Sequence, residues 1–412
     1  MMKNSLLTLI FIFVIFPLFP QNLPPDLEDK IPMEMGELKK APSYQWINQK
    51  DEAWSLLYKG EKYAGKDTEV FAYFASPNTL KGEKEHSDLQ KFPAMVLIHG
   101  GGGTAFRNWA IDWAKKGFAA IAMDLGGHQS QPKTGENNPW AYETTRLENG
   151  GPYQDDVHKF FKLDQDITEQ WQFHSISNII RAHSLLLSLP EVEAERTGMT
   201  GISWGGYLTI IVAGIDDRFK AAVPVYGCGF LQEGSAWDQQ FDSLGANGTQ
   251  NWVGLWDPSQ YVSHAKMPML FINGTNDFAY FVENWNKTAS LAPNSRLSLI
   301  PEMKHSHLHG AAPGEIHRFI SHHLEDGPEL SELKEIKYTA SQIDFAFHHP
   351  EAIMELFLVY TSEEGRSPER KWESITLNRT DKRTTVPDTA RLFYLYWIDE
   401  EGNRLSSAVF KR

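Results

Sequence analysis

Short apolar segments alternate with helix-like segments through the middle of this 412-residue chain. A parallel sheet needs a crossover between successive strands, usually a helix, so this alternation constrains the fold more than any other feature. It predicts an α/β class with a mostly parallel, doubly wound sheet and functional groups at the carboxyl ends of its strands. Strand-like segments lie at residues 69–77, 94–100, 117–125, 196–203, 220–227, 267–274 and 296–302, and helix-like segments at 106–116, 168–188, 206–214 and 278–291.

Residues 201–205 have the sequence Gly-Ile-Ser-Trp-Gly and join a strand-like segment to a helix-like one. In a Gly-x-Ser-x-Gly elbow, the glycines permit a strained turn that exposes a nucleophilic serine. The bare pattern also arises by chance, and a serine in an ordinary tight turn is the alternative interpretation. The strand–turn–helix context favours the elbow and makes Ser203 the candidate nucleophile.

A glycine-rich segment, His-Gly-Gly-Gly-Gly at residues 99–103, follows an earlier strand-like segment. Without a Cβ in the way, backbone N–H groups can approach a developing oxyanion, and such a motif lies on the oxyanion loop of esterases. A phosphate-binding loop is the alternative. The segment lacks the Lys-Ser/Thr of a Walker loop, and no G-x-G-x-x-G with a suitable acid is present. An oxyanion loop is therefore the favoured interpretation.

Two further candidates follow later strands. Asp277 comes directly after the strand-like segment 267–274, and His305 follows the segment 296–302. The chain order Ser, Asp, His is that of the α/β-hydrolase fold, in which the histidine takes the serine proton and the carboxylate orients the imidazole. A helix N-cap is the alternative role for Asp277.

Three histidines alternate in this region, at positions 305, 307 and 309. Histidines on one face of an extended segment can bind zinc, but no Cys or carboxylate stands at ligand spacing beside them. We therefore expect no metal and no other cofactor. His305 is preferred as the base because it comes first after the strand, and His307 is the alternative.

The two ends of the chain differ from the middle. In residues 1–20, Lys3 precedes an apolar run that is short for a bilayer span and suits a signal peptide. A retained anchor is the alternative. We predict a signal peptide at 1–20, a hydrolase domain at 21–330, and a C-terminal β-sandwich-like domain at 331–412, where short aromatic strands alternate with turns. The mature protein is expected to be secreted or periplasmic, without membrane attachment.

Charge and cysteine content exclude several classes of function. Lys and Arg number 39 and Asp and Glu 53, giving a formal net charge of −14. This balance argues against a nucleic-acid partner, which requires a basic surface. One cysteine cannot form an intrachain disulfide or a Cys-based zinc cluster.

Several segments are similar to exported α/β-hydrolases described as acetylxylan-esterase-like or dienelactone-hydrolase-related. They are HGGGG at 99–103, AIAMDL at 120–125, LLLSLPEV at 185–192, TGISWGGYLTIIVAG at 200–214, VPVYGCGFL at 223–231 and INGTNDFAY at 272–280. The resemblance implies a nucleophile, acid and base at Ser203, Asp277 and His305, and oxyanion donors at Gly101, Gly102 and Trp204. Dienelactone hydrolases proper use a Cys nucleophile, whereas Cys228 lies off the elbow, so that activity is disfavoured.

Aromatic residues in the loops give the indication of substrate. Trp140 lies in an insertion at about 129–166, and Trp237 and Trp256 follow a later strand. Flat rings suit the apolar faces of sugars, although such rings could instead only pack the lid. With the resemblance, these residues predict a serine esterase that acts on acyl esters, acetyl esters foremost, of saccharides or polysaccharides.

Two alternatives remain at this point. A prolyl-oligopeptidase-like peptidase shares the elbow and the triad order, but such enzymes usually carry a large propeller ahead of the hydrolase, for which this chain has little room. A non-catalytic glycan-binding protein would use the β-domain instead of the triad.

Overall fold

The computed structural model describes residues 23–28, 30–82, 90–339 and 341–412, so the predicted signal peptide at 1–20 lies outside the described residues. The strands are β1 Tyr44–Asn48, β2 Trp54–Lys59, β3 Glu69–Ala75, β4 Phe92–Ile98, β5 Ala119–Met123, β6 His128–Pro132, β7 Tyr142–Arg146, β8 Val192–Ile202, β9 Ala221–Val225, β10 Met269–Gly274, β11 Ser295–Ile300, β12 Leu333–Thr339, β13 Gln342–Phe347, β14 Ile353–Thr361, β15 Glu373–Leu377, β16 Arg383–Thr385, β17 Leu392–Asp399, β18 Arg404–Ser406 and β19 Phe410–Lys411.

The helices are α1 Pro25–Glu28, α2 Met35–Leu38, α3 Pro77–Leu80, α4 Arg107–Lys115, α5 Asp156–Phe160, α6 Trp171–Ser188, α7 Trp204–Ile215, α8 Asp238–Trp256, α9 Val282–Ala289, α10 His307–Ala311 and α11 Gly314–Glu325. Within the described ranges, no helix combines the length and the apolar character needed to cross a bilayer.

Fourteen of these strands form one mixed sheet. The order is β1-β2-β3-β5-β4-β8-β9-β10-β11-β18-β17-β14-β15, with β19 beside β17. Neighbours from β5 to β11 are parallel. The mostly parallel, doubly wound sheet predicted from the sequence is therefore confirmed for the central strands, whereas the strands on either side of them pair antiparallel.

The strand order reverses beside β4. The chain passes from β4 to β5 on one side, and it later returns to β8 on the other side of β4. In open α/β sheets, ligands bind at such a switch point, outside the carboxyl ends of the strands. The glycine-rich segment 99–103 follows β4 and Ser203 follows β8, so both candidates lie at this point.

Complete burial explains why the central strands are easy to recognise in the sequence. Every residue of β4, β5, β9 and β10 is buried. Strands covered on both faces have continuous apolar sequences rather than alternating ones. Helices α6 and α7 cover this part of the sheet, and α7 is buried along its whole length.

The C-terminal strands form two facing sheets, but one of them continues the central sheet. β12, β13 and β16 form a separate sheet whose aromatic side chains pack on β17, as Phe347 does on Trp397 at 5.2 Å between ring centroids. β18 pairs antiparallel with β11 through Leu297 and Ser406. The main sheet therefore crosses the boundary predicted at residue 331. The pairing covers an edge of the parallel sheet that would otherwise expose backbone N–H and C=O groups.

Candidate active site

Ser203 occupies the turn between β8 and α7 with φ 61° and ψ −119°. A positive φ is costly for a residue that has a side chain, and such strain is characteristic of functional turns. The flanking glycines are required by close backbone contacts: a Cβ on Gly201 would lie 2.2 Å from the Gly205 carbonyl oxygen, and one on Gly205 2.0 Å from that of Ile98. The turn therefore has the geometry of a nucleophile elbow.

Asp277, which is buried, and His305, which is partly buried, form an acid–imidazole pair. Asp277 Oδ2 lies 2.6 Å from His305 Nδ1. The other carboxylate oxygen, Oδ1, accepts the backbone N–H groups of Ala279 at 2.9 Å and Tyr280 at 2.8 Å. Because the carboxylate is held at both oxygens, it fixes the imidazole with Nδ1 as the donor and leaves Nε2 to accept a proton.

Two tyrosine rings lie nearly parallel to the His305 imidazole. The Tyr226 ring stacks on His305 at 4.2 Å between centroids, and the Tyr280 ring is nearly parallel to His305 at 6.2 Å. Burial raises the pKa of the Tyr280 phenol, and the neighbouring Ser203 hydroxyl opposes that rise. The Tyr280 hydroxyl falls short of hydrogen-bond geometry with any described residue. Tyr280 thus lies near both His305 and Ser203, a position that no local sequence signal indicated.

His307, the alternative base, has a different environment. Its Nε2 accepts the Gly100 N–H at 2.9 Å, and its ring stacks on Trp140 at 5.7 Å. Burial lowers the pKa of His307 to about 3, with the neighbouring His99 and His305 adding to the shift. His307 is therefore neutral near pH 7. It supports the glycine-rich loop, whereas His305 is the histidine that contacts Asp277.

The third histidine of the series also has its own partner. His309 Nδ1 lies 2.7 Å from Ser306 Oγ, which also accepts the His309 N–H. The three imidazoles thus contact three separate groups. Among the described residues, no group of three or more His, Cys, Asp or Glu side chains is arranged to hold a metal ion.

The glycine-rich segment is held by hydrogen bonds on several sides. The Gly100 carbonyl accepts from the Gly103 N–H at 3.0 Å and from Gln154 Nε2 at 3.1 Å. His99 Nδ1 lies 2.8 Å from the same oxygen, while its Nε2 accepts the Leu125 N–H at 2.9 Å. Nδ1 must therefore carry the proton. The predicted insertion reaches the site through Gln154.

The three predicted oxyanion donors lie at the junction of this loop and α7. Trp204 is the first residue of α7, so its N–H has no partner within the helix. Gly101 lies against Trp204, since an added Cβ would be 2.9 Å from the indole Cδ1. Gly102 has φ +68°, which favours glycine. Their role as donors stays a prediction.

The predicted aromatic contacts divide into two groups. Trp140 is half-buried over His307, and Trp237 packs on Trp204 at 4.6 Å. Trp256, by contrast, is fully buried, and its Nε1 donates to Gln170 Oε1 at 2.7 Å. Trp140 and Trp237 lie beside the candidate site, whereas the structure places Trp256 in the core, away from any substrate.

A C-terminal loop contacts the segment that carries the acid. Asn276 Nδ2 donates to the carbonyl oxygens of Pro368 at 3.2 Å and Arg370 at 2.7 Å. Arg370 also forms an ion pair with Glu283 at 2.5 Å. The residue immediately before Asp277 is therefore held by the region that the sequence predicted as a separate domain.

Comparison with known proteins agrees with this fold. The acetyl xylan esterase family model matches residues 49–233, and the prolyl oligopeptidase family model matches residues 161–323. The acetyl xylan esterase from Paenibacillus sp. R4 is 20% identical, with 73% of this chain and 100% of that chain covered and a TM-score of 0.54. Acetyl xylan esterase 1 from Thermoanaerobacterium sp. JW/SL YS485 is 16% identical, with 69% and 90% covered and a TM-score of 0.51.

Among curated proteins, the uncharacterized peptidase YuxL of Bacillus subtilis (strain 168) is 25% identical over 236 residues. That match takes in 52% of this chain but only 30% of the peptidase. The fold and these matches define the chain as an α/β-hydrolase. Within that class it resembles acetyl xylan esterases, as the sequence predicted, and the matching families point to a serine hydrolase.

Proposed function

We propose that this protein is a serine esterase that hydrolyses acyl esters of saccharides or polysaccharides, with acetyl esters foremost. The proposal depends above all on the 2.6 Å contact between Asp277 and His305, and the strained backbone of Ser203 adds to it. A nucleophile, a base and a carboxylate that orients the base are the groups that acyl transfer through a covalent intermediate requires.

In the proposed reaction, the Ser203 hydroxyl attacks the ester carbonyl while His305 Nε2 takes its proton. Asp277 stabilises the imidazolium that forms. The tetrahedral oxyanion is bound by the N–H groups of Trp204 and the Gly101–Gly102 loop. His305 then protonates the leaving alcohol, and a water molecule activated by the same base releases the acyl group.

The proposed substrate class is supported by the acetyl xylan esterase family match and by the half-buried Trp140. An aromatic ring beside the base suits the apolar face of a sugar. Export to the periplasm or the medium, proposed from residues 1–20, would bring the enzyme to such glycans.

The direct test is acetate release from acetylated xylan and from p-nitrophenyl acetate, with Ser203→Ala as the variant. We expect that variant to lose activity and labelling by a fluorophosphonate while it keeps the fold. Ser188→Ala is the matched control, because its hydroxyl only donates to the Leu185 carbonyl at 2.7 Å on α6. Substantial turnover by Ser203→Ala would refute the assignment.

A peptidase of the prolyl oligopeptidase type is the second candidate. It is favoured by the family match over residues 161–323, which include Ser203, Asp277 and His305. Comparing kcat/KM for acetylated xylan with kcat/KM for proline-containing peptide amides distinguishes the two. A higher value for the amides would replace the esterase proposal with the peptidase one.

A further inference from the structure

A buried lysine lies next to the candidate oxyanion site. Lys159, on α5 in the predicted insertion, has a side chain that is only 5% exposed. Its Nζ lies 4.8 Å from the centroid of the Trp204 ring and 5.6 Å from that of Trp171. The Asp156 carboxylate is 3.9 Å away, longer than a hydrogen bond. The ammonium therefore lies mainly against aromatic faces, and Asp156 is the carboxylate within ion-pair distance of it.

The position of this ammonium is fixed on the side of the glycine-rich loop. A Cβ on Gly101 would lie 3.8 Å from Lys159 Nζ. The Lys159 backbone is anchored as well, because its carbonyl accepts from Gln172 Nε2 at 2.7 Å and from Trp252 Nε1 at 2.8 Å. Contacts from three helices around one residue leave its side chain little freedom.

Packing alone does not account for a lysine here. Burying an amine is unfavourable unless it is paired, and an apolar side chain would fill the space between two indoles at lower cost. The charge acts on its surroundings: burial lowers the pKa of His99, and Lys159 is among the groups that lower it further. The positive charge of Lys159 thus acts on a residue at the end of β4, where the glycine-rich loop begins.

We propose that the Lys159 ammonium stabilises, through space, the negative charge of the tetrahedral intermediate beside Gly101 and Trp204. The inference rests on the proposed esterase function. As the bond from Ser203 Oγ to the carbonyl carbon forms, the carbonyl π electrons move to oxygen. Lys159 keeps its proton throughout and forms no bond. In a site that excludes water, a fixed positive charge near that oxygen lowers the barrier.

The proposal implies a particular pH dependence. Burial lowers the pKa of Lys159 to about 8, while Asp156 and Asp155 oppose the shift. The contacts from α6, α7 and α8 come from residues that do not titrate: Trp171, Gln172, Trp204 and Trp252. The titratable group at the end of β4 is His99, whose pKa the Lys159 charge lowers. The charge is present below pH 8 and lost above it, so kcat/KM for a neutral ester should fall on the alkaline side.

The experiment compares pH profiles of p-nitrophenyl acetate hydrolysis for four variants of the full chain. Lys159→Met should lower kcat about 10- to 100-fold at pH 7, a somewhat smaller effect than removal of a directly bonded oxyanion donor has. The same variant should no longer show the alkaline decline. Lys159→Arg should restore activity and move the decline to higher pH, because guanidinium stays charged. Asp156→Asn should move it to lower pH. Lys116→Met is the matched control, because it removes an exposed lysine 5.3 Å from the Trp113 ring at the far end of α4.

Three results would overturn the inference. They are an unchanged kcat in Lys159→Met, an alkaline decline that persists in that variant, and a loss seen only as a higher KM. Fluorophosphonate labelling separates this failure from that of the proposed function. If Ser203 is labelled while Lys159→Met behaves as the wild type, only the role of Lys159 is wrong. If Ser203 is unlabelled and dispensable, the esterase mechanism and the lysine's role both fail.

Discussion

Replacing Asp277 with asparagine tests the acid–base pair with little change of shape. The Asn oxygen can still accept the N–H groups of Ala279 and Tyr280, which the structure holds at 2.9 and 2.8 Å. The amide NH2 then faces His305 Nδ1, which must accept and so moves the imidazole proton to Nε2. In that tautomer His305 cannot take the Ser203 proton. We expect kcat to fall about 10⁴-fold, or about 5.4 kcal/mol at 1.36 kcal/mol per tenfold.

The assay is p-nitrophenyl acetate hydrolysis at pH 7, with urea unfolding measured in parallel. Because both backbone hydrogen bonds persist, the free energy of unfolding should drop by only about 1–2 kcal/mol. Asp257→Asn is the control, since that buried carboxylate accepts backbone N–H groups of Phe230, Leu231 and Ser259 away from the imidazole. It should lower stability and leave kcat unchanged. If Asp277→Asn retains more than about a tenth of wild-type kcat, another group orients His305 and the reasoning is wrong.

Three further predictions concern the supports of the site. Asn276→Ala removes two hydrogen bonds to the C-terminal loop, so the free energy of unfolding, measured by thermal unfolding, should fall by about 1–2 kcal/mol. The kcat of this variant should also be lower, and an unchanged kcat would mean that the loop does not position the acid. Trp140→Ala should raise KM for acetylated xylan more than for p-nitrophenyl acetate. Trp256→Ala should instead lower the free energy of unfolding in urea by about 3–5 kcal/mol, because that side chain is fully buried. A substrate effect for Trp256→Ala with a stability loss for Trp140→Ala would contradict their placement. The pKa of His307 is about 3 in the folded chain, below the ordinary value of 6.5. As the pH falls, the unfolded chain therefore gains this proton first, and the folded state loses stability from about pH 6.5 towards pH 3. His307→Gln should lose less stability than the wild type between pH 7 and pH 4 in urea unfolding, and an equal loss would show that His307 does not titrate in this way.

The sequence predicted the parts of the fold that depend on local composition. Fully buried strands such as β4 and β10 have continuous apolar sequences, and the Gly201–Gly205 turn follows from a backbone contact that only glycine allows. The pairing of β18 with β11 has no such signal. It joins Leu297 to Ser406, more than a hundred positions apart, and depends on an edge that exists only once the parallel sheet has formed.

In the candidate site, too, local sequence predicted which residues take part but not which of them contact each other. His305 and His307 follow the same strand, two positions apart, so spacing alone could not separate them. Their environments differ because His305 contacts Asp277, which follows β10, whereas His307 contacts Gly100, which follows β4. Which histidine can act as a base is thus decided by which strand end each one faces.

The position of Lys159 likewise has no local signal in the sequence. A lysine between Asp155 and the pair Phe160-Phe161 resembles a solvated residue of a short helix, and nothing nearby in the chain marks it as buried. Its burial comes from tryptophans on α6 and α7, and its significance from Gly101 at the end of β4. Tryptophans that first indicated a sugar-binding surface therefore have a second role in the structure: Trp171 and Trp204 hold a positive charge where the proposed reaction develops a negative one.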